Sequence, residues 1–541
     1  MKKSAIILSL AALTAMGAAA QSALDAYQLS QPSFRGTARF MSMGGAFTAL
    51  GGDMTTLSQN PGGLGIYRSS ETNATLDIDF QHTKGETPGS VMNQSQTKAQ
   101  CNEFGYIGSF YTGNQVMPYF NFGISYGRIA SFNRVYKAQF NDLQGSLTNY
   151  IAGFTSQGNY SPAELLDDDK SSYNPYQNTN PFIPWSSILA YNSYMINPAP
   201  SSGGNNEYVG LWEDGRTSGI GSADVVEKGY VDEFNIDFGG NIYNTLYWGL
   251  GFGITEIDYT NSTYYQEDFQ GARIPNNAAT STEIGNGGYG LDNYKHMWGN
   301  GFNFKVGVIL KPINELRIGL AVHTPTYYKL NYEGWAGTDF GYSSGYNNMG
   351  SQTNRGILDY FEYKFRTPWR LMVGAAGVIG GQGIISVDYE YRPYQSMKTL
   401  DNNGNDYTYI NGDTKEYYQS TNIFRVGAEY RLTRNWSLRA GYSHESSPVT
   451  EQASDNRTPI YTMGADDTET NFAYAFDKTN QYVTCGIGYR WKMISFDLAY
   501  VYNHRESTFH AYTPNEYTAL PPQAKITDNN SHLVMTFGVR F

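Results

Sequence analysis

From residue 71 to its end, this 541-residue chain is one continuous series of segments in which apolar side chains alternate with polar or small ones. A period of two means strands whose two faces meet different surroundings. The last segment, SHLVMTFGVRF from Ser531, puts Leu533, Met535, Phe537, Val539 and Phe541 on one face and Val534, Thr536, Gly538 and Arg540 on the other. An arginine opposite an apolar stripe suits a strand with lipid on one side and a wet lumen on the other.

Fourteen such segments can be marked: 71–82, 100–111, 117–130, 228–242, 246–259, 297–310, 315–330, 355–379, 384–396, 418–432, 436–447, 477–491, 494–508 and 529–541. The count takes 355–379 as one strand bent at Pro368, because a barrel with both termini in the periplasm needs an even number. The connections then alternate short and long, as its two sides require. Phe302, Phe304, Val306, Val308 and Leu310 share a face with Lys305 opposite, and Leu316, Ile318, Leu320 and Val322 share one with Arg317 opposite. Phe424, Val426 and Ala428 oppose Arg425 and Glu429; Leu438 and Ala440 oppose Arg439. Charges of both signs behind so many aromatic stripes predict an all-β, 14-stranded antiparallel transmembrane barrel with a charged lumen. The 59 glycines and 46 tyrosines fit close strand packing and aromatic girdles.

The start of the chain supplies the compartment. Lys2 and Lys3, an apolar run from Ala5 to Leu13 and Ala18-Ala19-Ala20 read as a signal peptide over 1–20 with cleavage before Gln21. No later apolar stretch is long enough for a membrane helix. Cys101 and Cys485, distant in sequence, read as packing residues rather than a disulfide framework. A net charge of −12, two units more negative once Lys2 and Lys3 are removed, argues against a nucleic-acid partner.

Residues 21–70 precede the strands. Within them, 36–65 holds eight glycines, and between Gln21 and Ile66 the only charged residues are Asp25, Arg35, Arg39 and Asp53. A disordered leader would be more polar. Apolar residues broken by Gly-Gly pairs, with a turn at Asn60-Pro61-Gly62, predict short helices packed inside something, hence a plug in the lumen.

These residues resemble the FadL/TodX family of outer-membrane transporters for long-chain fatty acids and other hydrophobic compounds. The Gly-rich run leading to Asn60-Pro61 is similar to the family's N-terminal hatch with its Asn-Pro-Ala turn, Gly62 standing where the alanine would be. FRVGAEYRLTRNWSLRAGYSHESSPV, from Phe424 to Val449, resembles its late hairpin, and the closing strand fits as well. The resemblance implies a fourteen-stranded barrel closed by a hatch over 21–70. It also implies a hydrophobic ligand captured at the surface and passed to a lumenal pocket, with exit through the hatch or laterally through the wall. The surrounding partners would be outer-membrane lipid and lipopolysaccharide, with the strand ending at Phe541 presented to the barrel assembly machinery.

Site expectations follow from chemistry. The long insertion at about 141–227 carries Pro181-Phe182-Ile183-Pro184-Trp185, followed by Ile188 and Leu189; Phe182, Trp185, Ile188 and Leu189 are expected to form a surface capture groove. A carboxylate head group needs a lumenal cation, and strand phase offers Lys305, Arg317, Arg425 and Arg439. None of the seven histidines sits in a metal or nucleophile motif, so the expectation is a transporter without cofactor or metal rather than an enzyme. A surface binding or adhesion barrel is the alternative, and a general porin is disfavoured because a plug obstructs a water-filled pore.

Overall fold

The computed structural model describes residues 22–178, 182–199, 206–277, 281–455, 460, 468–514 and 521–541. The expected signal segment, its cleavage point and Pro181 lie outside these residues. Fourteen antiparallel strands make one closed wall. They are β1 (Glu71–Thr87), β2 (Ser90–Tyr111), β3 (Tyr119–Ser131, continued by Arg134–Phe140), β4 (Ser218–Ile242), β5 (Leu246–Pro275), β6 (Thr282–Ile313) and β7 (Leu316–His323, then Tyr327–Tyr342). The second half is β8 (Asp359–Arg366, then Arg370–Ile379), β9 (Gly383–Pro393), β10 (Ser420–Arg431), β11 (Trp436–Glu445), β12 (Tyr474–Trp491), β13 (Ile494–His510) and β14 (Gln523–Arg540). Closure is direct: β14 pairs β1 from Glu71 opposite Arg540 to Glu86 opposite Lys525. The β14–β1 pairing removes the two edges that an open sheet would leave at its ends.

The alternation sorts the faces as the sequence predicts. Phe302, Phe304 and Val306 are 45–51% exposed toward the bilayer, whereas Lys305 between them is 2% exposed. In β14, Phe537 points out while Val534 and Thr536 are buried inside. Among the described residues no helix is long and apolar enough to cross a membrane. Cys101 and Cys485 are both free thiols.

The strand limits differ from expectation in three places, each with a physical reason. The expected bend at Pro368 is present, and the neighbouring β7 adds an unexpected break beside it at Thr324-Pro325-Thr326. Proline cannot donate to the ladder, and the gap is filled by Thr326 N donating to the Thr367 hydroxyl at 2.8 Å and Thr367 N donating to the Thr326 carbonyl at 3.2 Å. β4, β5 and β6 run to 25, 30 and 32 residues, well past the roughly 9–11 that span a bilayer. The insertion therefore ends before Ser218 rather than at 227, since Ser218 already pairs with Gln270. The third departure is in β3, which continues beyond Ser131 and matters for the site.

Candidate functional site

The N-terminal segment lies inside the barrel. It forms α1 (Ala23–Ser30), α2 (Ala38–Ser42), α3 (Thr56–Gln59) and a 3-10 turn over Pro61–Ile66. α1 begins with a capping box: the Ser22 hydroxyl accepts from Asp25 N, and the Asp25 carboxylate accepts from Ser22 N. Below it the hatch is bonded around the wall, because a buried backbone group needs a partner. Ala38 N donates to the Thr536 hydroxyl at 2.7 Å, Gly44 N to the Thr484 hydroxyl at 3.1 Å, and Thr48 N to Asp388 at 2.7 Å. From the wall, Asn121 Nδ2 donates to the carbonyls of Leu64 (2.7 Å) and Tyr67 (3.0 Å). Arg35 forms a buried ion pair with Asp77 at 2.7 Å, and Thr55 donates to Glu103 at 2.7 Å.

At the turn Asn60-Pro61-Gly62 the hatch lies directly against the wall. Asn60 Oδ1 accepts from Gly62 N at 3.0 Å and its Nδ2 donates to the Thr48 carbonyl at 2.5 Å. A methyl group on Gly62 would lie 2.9 Å from the backbone of Gly307 and Val308, so the departure from alanine is required by the close approach. On the wall side, a side chain at Gly249 would meet the Pro61 carbonyl, and one at Gly307 would meet Asn60 Oδ1. Sequence reasoning found the turn but not these wall glycines; their signal is glycine on the inward phase of β5 and β6.

Each of the four expected lumenal cations has a partner. Lys305 is buried against Glu233 and Asn235. Arg425 meets Glu390 at 2.7 Å, and that one carboxylate also takes Arg370 and Arg392. Arg439 bridges Glu429 and Asp497, each at 2.6 Å. Arg317 Nη1 donates to the Leu50 carbonyl of the hatch at 2.6 Å. Lys305, Arg425 and Arg439 are each paired with a carboxylate, as buried charges require, whereas Arg317 has only a carbonyl and its Nε has no hydrogen-bond partner.

The extracellular insertion folds into a cap with helices α4 (Leu147–Gln157), α5 (Pro162–Leu165) and α6 (Trp185–Asn192). Here the expected capture groove is corrected. Trp185, Ile188 and Leu189 are at most 4% exposed, and Phe182 packs against the same cluster. The Trp185 ring nitrogen donates to the Tyr176 carbonyl at 3.2 Å. Among the described residues, the apolar area of Trp185, Ile188 and Leu189 is spent on the cap's own core.

Between cap and hatch, α1 fills the middle of the lumen. Ala23, Ala26, Tyr27 and Leu29 are buried in a cluster rich in tyrosine. Tyr27 stacks on Tyr418 at 4.8 Å and meets Tyr394 edge-on at 5.1 Å. Lys295 of the wall holds Asp25 at 2.6 Å. Beside α1 lies a polar chamber of about 120 Å³ with Arg134, Arg392, Arg505, Glu227, Glu445 and Asp477 on its walls.

Ser131 to Arg134 of β3 line that chamber, beside a gap in the wall between β2 and β3. β2 and β3 are paired only from Tyr111 opposite Tyr119 to Glu103 opposite Gly127. Beyond that point β3 shifts register at Arg128, follows β4 alone, and passes over β1 so that the Lys137 carbonyl sits where a side chain on Gly85 would be. Among the described residues, β2 from Ser90 to Cys101 then has β1 as its only ladder partner. Side-chain hydrogen bonds span the gap: Lys98 Nζ donates to Asn133 Oδ1 at 2.6 Å, and at the outer end Asn141 Nδ2 donates to the Gly89 carbonyl at 3.0 Å.

A family model described as outer membrane protein transport protein (OMPP1/FadL/TodX) matches residues 241–539. Among solved structures, a FadL homologue of Pseudomonas aeruginosa is 12% identical with a TM-score of 0.52, over 94% of this chain and 99% of that one. The toluene transporters TodX of Pseudomonas putida and TbuX of Ralstonia pickettii each match at 12% identity over the same shares, with TM-scores of 0.44. No curated protein matches the sequence. The chain belongs to the OMPP1/FadL/TodX family of outer-membrane transport proteins.

Proposed function

We propose that this protein takes long-chain fatty acids or other hydrophobic small molecules from the cell surface into the lumen and releases them sideways, through the gap between β2 and β3. One observation carries this reading. The axial path is closed by a hatch hydrogen-bonded to the wall on several sides, while the wall itself lacks a backbone seal above Glu103 and Gly127. The apolar lumenal site is occupied by α1, whose aromatic surroundings suit an acyl chain or a ring equally well. When α1 withdraws, a ligand replaces it and gains roughly 0.8 kcal/mol for each CH₂ buried. The polar chamber beside it suits the ligand's head group. Export by a cleaved signal peptide over residues 1–20, a hatch domain over 21–70, and a non-enzymatic role belong to the same proposal.

The test is uptake of radiolabelled oleate, with toluene accumulation in parallel, by cells producing the full chain. Saturable uptake of either above vector controls is expected. Background uptake of both, with the barrel assembled at the surface, would overturn the reading in favour of a surface binding barrel.

A further inference from the structure

Below the hatch, the periplasmic mouth encloses a basin of about 570 Å³ whose lining includes eight arginines. Three of them are matched by carboxylates: Arg39 with Glu429, Arg439 with Glu429 and Asp497, and Arg540 with Glu71. The other five, Arg68, Arg317, Arg431, Arg434 and Arg490, have no carboxylate partner among the described residues. Arg68 donates to Asn244 at 3.0 Å and lies over the Tyr119 ring, and Arg317 Nη1 donates to the Leu50 carbonyl while the Arg317 Nε is buried with no hydrogen-bond partner. Eight arginines against Glu71, Glu429 and Asp497 leave a surplus of five positive charges in one cavity of a chain whose net charge is −12. Like charges gathered this closely repel one another, and partial enclosure weakens the screening by water.

The same basin has an apolar side. Leu50, Ile66 and Tyr67 of the hatch and Val378 and Ile384 of the wall line it beside the arginines. Guanidinium groups next to apolar surface are the complement of an amphipathic carboxylate: charge-assisted hydrogen bonds hold the head while the first methylenes cover the hatch.

We propose that this basin is a binding site for a carboxylate carrying an apolar tail, reached from the periplasm and lying against the underside of the hatch. The carboxylate also competes with Glu429 for Arg39, which links occupancy of the basin to the grip of the wall on the hatch. This site is separate from the lumenal site above and does not depend on the lateral route.

The experiment is photolabelling of the full chain in nanodiscs with a decanoic acid carrying a chain-terminal diazirine, against the matching decanol probe, with labelled peptides located by mass spectrometry. The acid is expected to label residues 50–69 and 376–384, the alcohol at least about fivefold less. Raising salt from 20 to 500 mM is expected to reduce the acid's labelling there by a similar factor. Arg317→Gln, Arg434→Gln and Arg490→Gln combined are expected to abolish the preference for the acid. Equal labelling by acid and alcohol, or labelling insensitive to salt in the unmodified protein, would overturn the proposal even if the triple variant failed to assemble. Labelling around Tyr394 and Tyr418 reports the lumenal site separately. Its presence without basin labelling defeats this inference alone, and the reverse pattern defeats the lumenal reading alone.

Discussion

Arg39 of the hatch meets Glu429 of the wall at 3.0 Å, and Arg439 reaches the same carboxylate oxygen at 2.6 Å. One wall acid thus serves two cations, one of them belonging to the plug. Arg39→Gln leaves the Glu429–Arg439 pair intact and removes the hatch's share. Because both side chains are less than one-fifth exposed, the expected cost is about 1–3 kcal/mol, concentrated in the hatch. Hydrogen exchange should quicken over residues 36–66 with the strands unaffected; an unchanged hatch would show that the pair does not hold it.

The packing of Asn60 on Gly307 gives a second prediction. Gly307→Ala places a methyl group against Asn60 Oδ1, and Gly249→Ala places one against the Pro61 carbonyl. Each is expected to cost about 1–3 kcal/mol and to raise protease cleavage within the hatch while the barrel still migrates as folded on unheated gels. The same change at Gly127, which has open space around it and no positive φ, serves as a control for added methyls.

The lumen is held by ion pairs that tolerate no loss of one partner. Lys305→Ala strands Glu233, whose side chain is 4% exposed, and is expected to cost about 3–5 kcal/mol in urea unfolding followed by tryptophan fluorescence. Adding Glu233→Gln should recover part of this, since the stranded charge is then gone. A variant as stable as the parent would place the pair outside the stability balance.

A pH effect is expected in the extracellular helix α7 (Thr408–Tyr417). Burial, with Glu416 nearby, pushes the Asp413 carboxyl up to about 6. The folded state therefore binds its proton more tightly than the unfolded state does. Local stability is greatest below the ordinary carboxylate range and falls as the pH rises through about 6. Asp413→Asn should slow hydrogen exchange in α7 at pH 7.5 and have no effect near pH 4; equal effects at both pH values would contradict this origin.

Much of the fold was legible because a lipid-facing strand cannot hide its period. Phe302, Lys305 and Phe537 are where alternation places them, and the bend at Pro368 follows from its missing N–H. The plug was legible from eight glycines and few charges over residues 36–65. The site was less so. Trp185, Ile188 and Leu189 look like a sticky patch in sequence, but whether an apolar cluster faces outward or inward is a tertiary matter, and here the cap closes over it. Arg425 and Arg439 were correctly phased into the lumen, yet their partners Glu390, Glu429 and Asp497 come from neighbouring strands whose register the sequence does not state. The gap beside β2 arises at a register shift at Arg128, where the buried phase of β3 passes from Asn121, Gly123 and Ser125 to Ala130, Phe132 and Arg134, a one-residue slip that a strand ended at residue 130 does not reveal.

The lateral route can be closed and reopened. In a background with Cys101→Ser and Cys485→Ser, Lys98→Cys and Asn133→Cys stand on opposite sides of the gap, where the native side chains meet at 2.6 Å. A short bis-methanethiosulfonate reagent would tie them, and a reductant would release the tie. Oleate uptake is predicted to fall to background when the two are joined and to return on reduction. Uptake that continues unchanged across a fully joined gap would contradict lateral release.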